Sequence, residues 1–458
     1  MLSAFLLDNV IGDFIEVREK TMDLFSPIDI EDAVIQSSTF GSPPNWHISH
    51  VTWFFQKILE KYDGKININN DINLQYLNSY YQVYGKILTK SERGRYPRPT
   101  VSQSIKYRRE VEKCFINFLK SIEKSRISEK LLLDVFTAIN HEMQHQELMV
   151  YDFQHYFNKF ENENDNYYPT KIIKNDSIKE NIVKKMIDIP GGIYKMGYAG
   201  KDFCYDNELP ENKVYLNPFK IDNLLVTNEE FISFIDDGGY KNYKYWLADG
   251  WDLVVNENWD SPLYWKFDKD EKKWFKKDFY GLNEIVLNEP VINVSYYEAD
   301  AFAKWANKRL PTEGEWEKAA SWDEENEIKT VYPWGNNYPT KECANLFESY
   351  HWRPSVVGSY PQGKSHYDCY QMIGDAWEWT SSEYVLYPGF KSRFEEYTDK
   401  WAINQKVLRG GCFATSRKQI RNSYRNYFKP YERIVFAPIF VFAAATECHQ
   451  EGHRAWMS

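Results

Sequence analysis

Apolar positions recur at helical spacing through the first third of the chain, then give way to short alternating runs. Segments such as Lys106–Leu119 and Lys130–Ile139 carry apolar residues three and four apart with few glycines, which predicts amphipathic helices. A four-helix bundle over residues 8–160 is the economical arrangement. Residues 161–183 are polar and turn-rich and read as a linker. From residue 184 to 445 the chain is rich in Gly, Trp and Tyr with short strand patterns, as at Met186–Gly197 and Val407–Ala414. Helical islands remain there, and Ser295 with Glu298 reads as a capping box. The expected fold class is two-domain α+β, with residues 446–458 as an atypical tail.

Composition narrows the function. The 458 residues are enough for two or three domains, each with its own core. An aromatic content of 17%, with 16 Trp and 34 Tyr, points to loops stapled by rings or to a site with aromatic walls. The net charge of -10, with no basic run, argues against a nucleic-acid partner. The six cysteines are scattered without a CxxC pair, which argues against a disulfide framework or thiolate zinc site and fits a reducing cytoplasm. The first residues read as too acidic for a secretory signal, and no stretch reaches the length of a membrane span. A soluble cytoplasmic protein is expected.

The chemistry concentrates in His141-Glu-Met-Gln-His145-Gln-Glu147. Imidazoles at i and i+4 share one helix face, about 6 Å apart along the axis, and can reach one ion. Glu147 could orient one of them. A second cluster, Trp46-His47-Ile-Ser-His50, follows Pro43-Pro44 at an apparent helix start and offers a third imidazole from either His47 or His50. Three neutral nitrogen ligands with open positions suit non-haem Fe(II) or zinc, and the spacing leaves both choices open.

The pairing of these two clusters resembles the DinB-like domain of the hercynine oxygenase (EgtB) family. The blocks Ile189-Pro-Gly-Gly192, Arg309-Leu-Pro-Thr-Glu-Gly-Glu-Trp316, Gly374-Asp-Ala-Trp-Glu-Trp379 and Leu408-Arg-Gly-Gly411 resemble the C-type-lectin-like fold of formylglycine-generating enzymes, or sulfatase-modifying factors, fused to it. The resemblance spans residues 10 to 440 or so. It implies a sulfoxide synthase that uses Fe(II) and O2 to join hercynine to the sulfur of cysteine or γ-glutamylcysteine in ergothioneine biosynthesis. It implies small-molecule substrates, with no nucleic acid and no membrane as partner.

Carried over by position, the resemblance makes His50, His141 and His145 the iron ligands and leaves His47 structural. It puts Gln144 on the histidine-derived substrate, and Tyr384 and Tyr387 on a loop over the metal, with Tyr384 as the proton-donating phenol. Arg95 and Arg98 are chosen from the cluster Arg93-Gly-Arg95-Tyr-Pro-Arg98 to grip donor carboxylates. Asn426, Tyr427 and Phe428 would line a trimethylammonium pocket. Some family members that use γ-glutamylcysteine carry an acidic residue at the place of Phe428, which tilts the donor here toward cysteine. The chain departs from the family after Ile439, which puts the last strand in doubt, and Cys448, His449 and His453 fall in the tail. Alternatives are a synthase acting on unmethylated histidine in the ovothiol pathway, a selenoneine synthase, and a DinB-type metal-dependent thiol transferase. A lectin-like binding module leaves the three histidines unexplained. Formylglycine generation lacks a close cysteine pair.

Overall fold

The computed structural model describes residues 2–62, 68, 72–79, 81–85, 87–122, 127–158, 182–393 and 396–443. Most of the expected linker and all of the tail, with Cys448, His449 and His453, lie outside them.

Four long helices come first: α1 (Leu2–Phe25), α2 (Pro44–Tyr62), α3 (Val101–Ser121) and α4 (Glu129–Asn158). The prolines before α2 fix its entry, because a ring at the first helical position costs no hydrogen bond. Thr100 caps α3 reciprocally with Gln103. The helices share an apolar interior built on Phe14, Phe55, Val111, Phe115 and Val135. A buried carboxylate ties all four together. Glu142 on α4 accepts from Arg18 of α1 at 3.0 Å, Arg108 of α3 at 2.6 Å and Thr21 at 2.6 Å, while Arg18 also donates to Thr52 of α2 at 2.9 Å. Two guanidiniums and one hydroxyl group thus neutralise and saturate one desolvated charge. Removing Glu142 would leave two buried cations to share the part-exposed Glu112 alone, at a cost of up to about 3–5 kcal/mol.

The second region begins with β1 (Met186–Ile189), β2 (Gly192–Met196), β3 (Asn212–Leu216) and β4 (Phe219–Asp222), followed by α5 (Asn228–Asp236) and α6 (Ala248–Asn256). It continues with β5 (Trp265–Asp268), β6 (Lys273–Asp278), β7 (Gly281–Glu284), α7 (Tyr296–Trp305), β8 (Lys308–Arg309) and α8 (Glu313–Ser321). A short ribbon, β9 (Trp322–Asp323) and β10 (Ile328–Lys329), precedes β11 (Glu378–Glu383), β12 (Lys406–Arg409), β13 (Asn426–Phe428) and β14 (Phe442–Ala443). The strands form small antiparallel sheets, ordered β1-β4-β14-β8, β11-β12-β13 and β5-β6-β7, with separate ribbons. The last strand, in doubt from the sequence, does form: Phe442 pairs with Ile221 and Arg309. Ser295 and Glu298 make the expected capping box on α7. Trp316, Trp377 and Trp379 are fully buried, so indoles occupy the interior that the short strands are too small to fill. The two-domain α+β architecture read from the sequence is the one observed.

The two regions lock along α4 and α1. Trp377 donates to Glu147 at 2.6 Å, Thr415 donates to the same carboxylate at 2.6 Å, and Gln419 donates to the Asn140 carbonyl at 2.9 Å. Lys20 pairs with Glu348 at 2.9 Å, and Lys418 with Asp13 and Glu16 at 2.5 Å. A cavity of about 270 Å³ opens at this seam.

Candidate metal centre and substrate cavity

Helix periodicity assembles the centre. His141 and His145, one turn apart on α4, meet His50 of α2. The Nε2 atoms of His141 and His145 are 3.1 Å apart and those of His141 and His50 3.3 Å apart, and ligand atoms of all three lie within 4.8 Å of one another. Adjacent ligands on one ion with bonds of ~2.1 Å stand about 3 Å apart, so this spacing fits a shared metal. It is the one such cluster among the described residues. Burial pushes all three imidazoles below their ordinary range, His141 to about 3, and keeps them as neutral lone-pair donors.

Surrounding groups aim the rings. The His50 ring lies parallel to Trp46, 4.4 Å between centroids at 9°, and its Nδ1 donates to the Leu77 carbonyl at 2.6 Å. A carbonyl only accepts, so that bond leaves the Nε2 lone pair free for the centre. His47 stands behind His145, Nδ1 to Nδ1 at 2.7 Å, and its Nε2 donates to Asp152 at 2.9 Å. Glu147 does not orient an imidazole. Its oxygens are taken by Trp377, Thr415 and Tyr151, and it serves the seam between the two regions.

The cavity has one wall from each half of the chain. The bundle contributes His141, Gln144, His145 and Arg93, and the second region contributes Tyr397, Tyr424, Asn426, Tyr427 and Phe428. Gln144 joins the walls: its amide nitrogen donates to the Tyr424 hydroxyl at 3.2 Å, and its oxygen accepts from the Tyr397 hydroxyl. The structure therefore brings together the three histidines, Gln144, Asn426, Tyr427 and Phe428.

Four other sequence-selected residues lie elsewhere. Tyr384 and Tyr387 sit one layer behind the cavity wall. Tyr384 stacks on Tyr427 at 3.9 Å and donates to the Thr398 carbonyl at 3.3 Å, while Tyr387 packs beneath the Arg425 guanidinium at 4.1 Å and donates to Glu313 at 3.4 Å. Of the tyrosines that line the cavity, Tyr397 is the one whose ring packs against a histidine of the centre, 5.7 Å from His141, with its hydroxyl donated to Gln144. Arg95 has 83% of its side chain exposed, and Arg98 is also exposed. Their neighbour Arg93 is buried in the cavity wall, 3.6 Å over the Trp46 ring, and donates to Ser42 at 2.7 Å. No spacing rule singles out Tyr397 or Arg93. Each is one of several like residues in a loop, and only burial separates it from its neighbours.

The sequence profile of the sulfatase-modifying factor enzyme 1-like domain matches residues 174–437, more than half of the chain. The chain belongs to this family. Among curated relatives, the hercynine oxygenase of Mycobacterium tuberculosis is 40% identical over 243 residues, 53% of this chain and 56% of that protein. The hercynine oxygenase of Mycolicibacterium smegmatis is 38% identical over 259 residues, 55% and 59% respectively. The formylglycine-generating enzyme of Bos taurus is 28% identical over 228 residues, 44% and 59%. The chain spans just over half the length of these relatives. The similarity bears out the resemblance to hercynine oxygenases read from the motifs. Among the described residues, no helix is long and apolar enough to cross a membrane.

Proposed function

We propose that the protein is an iron(II)- and O2-dependent sulfoxide synthase that joins the sulfur of cysteine or γ-glutamylcysteine to the imidazole of hercynine. The observation that carries this reading is the composite cavity: a neutral three-nitrogen centre, which reaches one wall through His141 and His145, faces an aromatic wall that suits a quaternary ammonium ion. Fe(II) held by His50, His141 and His145 would supply activation of oxygen and of the thiol sulfur.

The chain's own groups do the rest. Tyr427 and Phe428 offer ring faces to the trimethylammonium group, and Asn426 lies beside them. Gln144, its amide fixed by two tyrosine hydroxyls, presents itself to the substrate imidazole. Arg93 is the buried guanidinium of the bundle wall and would receive a donor carboxylate, with Lys90 beside it in the lining. Tyr397 takes the proton-donating part that the resemblance gave to Tyr384, because it lines the cavity with its ring beside the ligand His141. A well-placed proton donor directs the outcome toward carbon–sulfur coupling rather than oxidation of the thiol alone.

The test is anaerobic Fe(II) loading, then oxygen uptake with product mass analysis for hercynine paired separately with each thiol. A hercynine–thiol sulfoxide is expected, with cysteine the faster donor because Phe428 offers no charge to the γ-glutamyl group. Uptake that requires histidine instead would assign the ovothiol-type reaction. No uptake, with zinc retained, would point to a thiol transferase.

A further inference from the structure

Behind the centre runs a line of three groups with no counterpart at the other two histidines. Asp152, seven residues after His145 on α4, accepts from His47 Nε2 at 2.9 Å, and His47 Nδ1 meets His145 Nδ1 at 2.7 Å. All three side chains are buried. The hydrogen-bond directions constrain one another. A carboxylate only accepts, so Nε2 of His47 carries a proton and its Nδ1 can present a lone pair. A contact of 2.7 Å between two ring nitrogens needs a proton between them, and His145 Nδ1 supplies it. His145 then keeps its Nε2 lone pair, on the side where His141 Nε2 stands 3.1 Å away.

We infer that Asp152 and His47 are positioning residues that fix the tautomer and the ring plane of the metal ligand His145. This inference rests on the metal-centre reading and deepens it. The usual device is one carboxylate or carbonyl on a ligand's distal nitrogen. Here a second imidazole is interposed, which carries the carboxylate's direction through hydrogen bonds of 2.9 and 2.7 Å.

Two further observations support the line. Asp152 is itself held, since the Ser42 backbone nitrogen donates to the same oxygen at 3.1 Å. The loop leaves room for it only because residue 41 is glycine: a Cβ there would stand 2.1 Å from the other carboxylate oxygen. The three ligands also differ. His50 is fixed by the Leu77 carbonyl and His145 by His47, while His141 Nδ1 has no hydrogen-bond partner among the described residues.

The probe is Co(II) alone, titrated into the metal-free full chain and followed by its visible absorption, with proton NMR of the loaded protein in water. Wild type should bind one Co(II) and show shifted, slowly exchanging Nδ1 protons from His50 and His145. D152N, H47F and G41A should each weaken binding about 10–100-fold and lose or broaden only the His145 proton, with the His50 signal retained. G41A adds one methyl group that crowds the Asp152 carboxylate without removing its charge, which separates displacement of Asp152 from loss of its charge. H47Q, which offers Nδ1's place an amide oxygen, should recover part of the affinity. Wild-type affinity and an intact His145 signal in D152N and H47F would overturn the inference while leaving the centre standing. Failure of wild type to bind Co(II), with H145A no different, would remove the centre and the positioning role with it.

Discussion

The two walls of the cavity are built on different principles. The bundle wall draws its groups nearest the centre from one helix at fixed spacing, so His141, Gln144 and His145 follow one another on a single face of α4. The other wall draws Tyr397, Tyr424 and Asn426–Phe428 from loops and the edge of a three-stranded sheet. A helix commits its side chains to a direction as soon as the residue number is known. A loop does not, and its aim is settled only by what it packs against. One wall therefore fixes the spacing of its ligands through the helix itself, while the other owes its shape to long-range packing.

The sharpest way to break this contrast is to remove a ligand. H145A should abolish stoichiometric metal binding and all oxygen uptake, as measured by metal analysis and an oxygen electrode. Retained binding would mean that the helix wall is not the centre. Y397F should leave metal affinity unchanged and lower coupled product about 10²-fold or more, the range for loss of a placed proton donor. Y384F, one layer back, should change product yield far less, and the reverse order would return the role to Tyr384.

Arg93→Ala should raise the KM for the thiol about 10–100-fold, as loss of a charge-assisted bond worth about 1.5–3 kcal/mol implies, whereas Arg95→Ala should leave it near wild type. Equal effects would show that exposure is no guide here. The smallest effect concerns acid. In the metal-free protein the unfolded chain protonates its histidines near pH ~6.5, while His141 in the fold resists to about 3. The unfolded state thus binds more protons in that window, and stability falls as pH drops through it. Urea midpoints at pH 7.5, 6 and 5 check this, and a flat series would mean that the rings are already charged in the fold.

The same contrast explains what was legible in the sequence. Helical spacing and the two histidine clusters announced the bundle and its ligand face, and the Gly-, Trp- and Tyr-rich composition with short strand patterns announced the second region. Which tyrosine and which arginine reach the cavity could not be read. Tyr384 and Tyr397 stand thirteen residues apart in one aromatic loop, and Arg93, Arg95 and Arg98 share six positions. Long-range packing decides among them. Stacking on Trp46 draws Arg93 inward, and Gln144 captures the Tyr397 hydroxyl. Glu147 misled for a related reason: it sits two residues past a ligand, but its face of α4 turns to Trp377.

Helix α4 carries four separate commitments within thirteen residues. Asn140 and Glu147 meet the second region, His141 and His145 face the centre, Glu142 anchors the bundle, and Asp152 closes the line through His47. Each added or deleted residue turns everything beyond it by about 100°. A single insertion between Asn140 and Asp152 would therefore put these obligations out of phase together. Substitution can explore this segment one side chain at a time, but its length is frozen, and changes in chain length must find their place in the loops of the opposite wall.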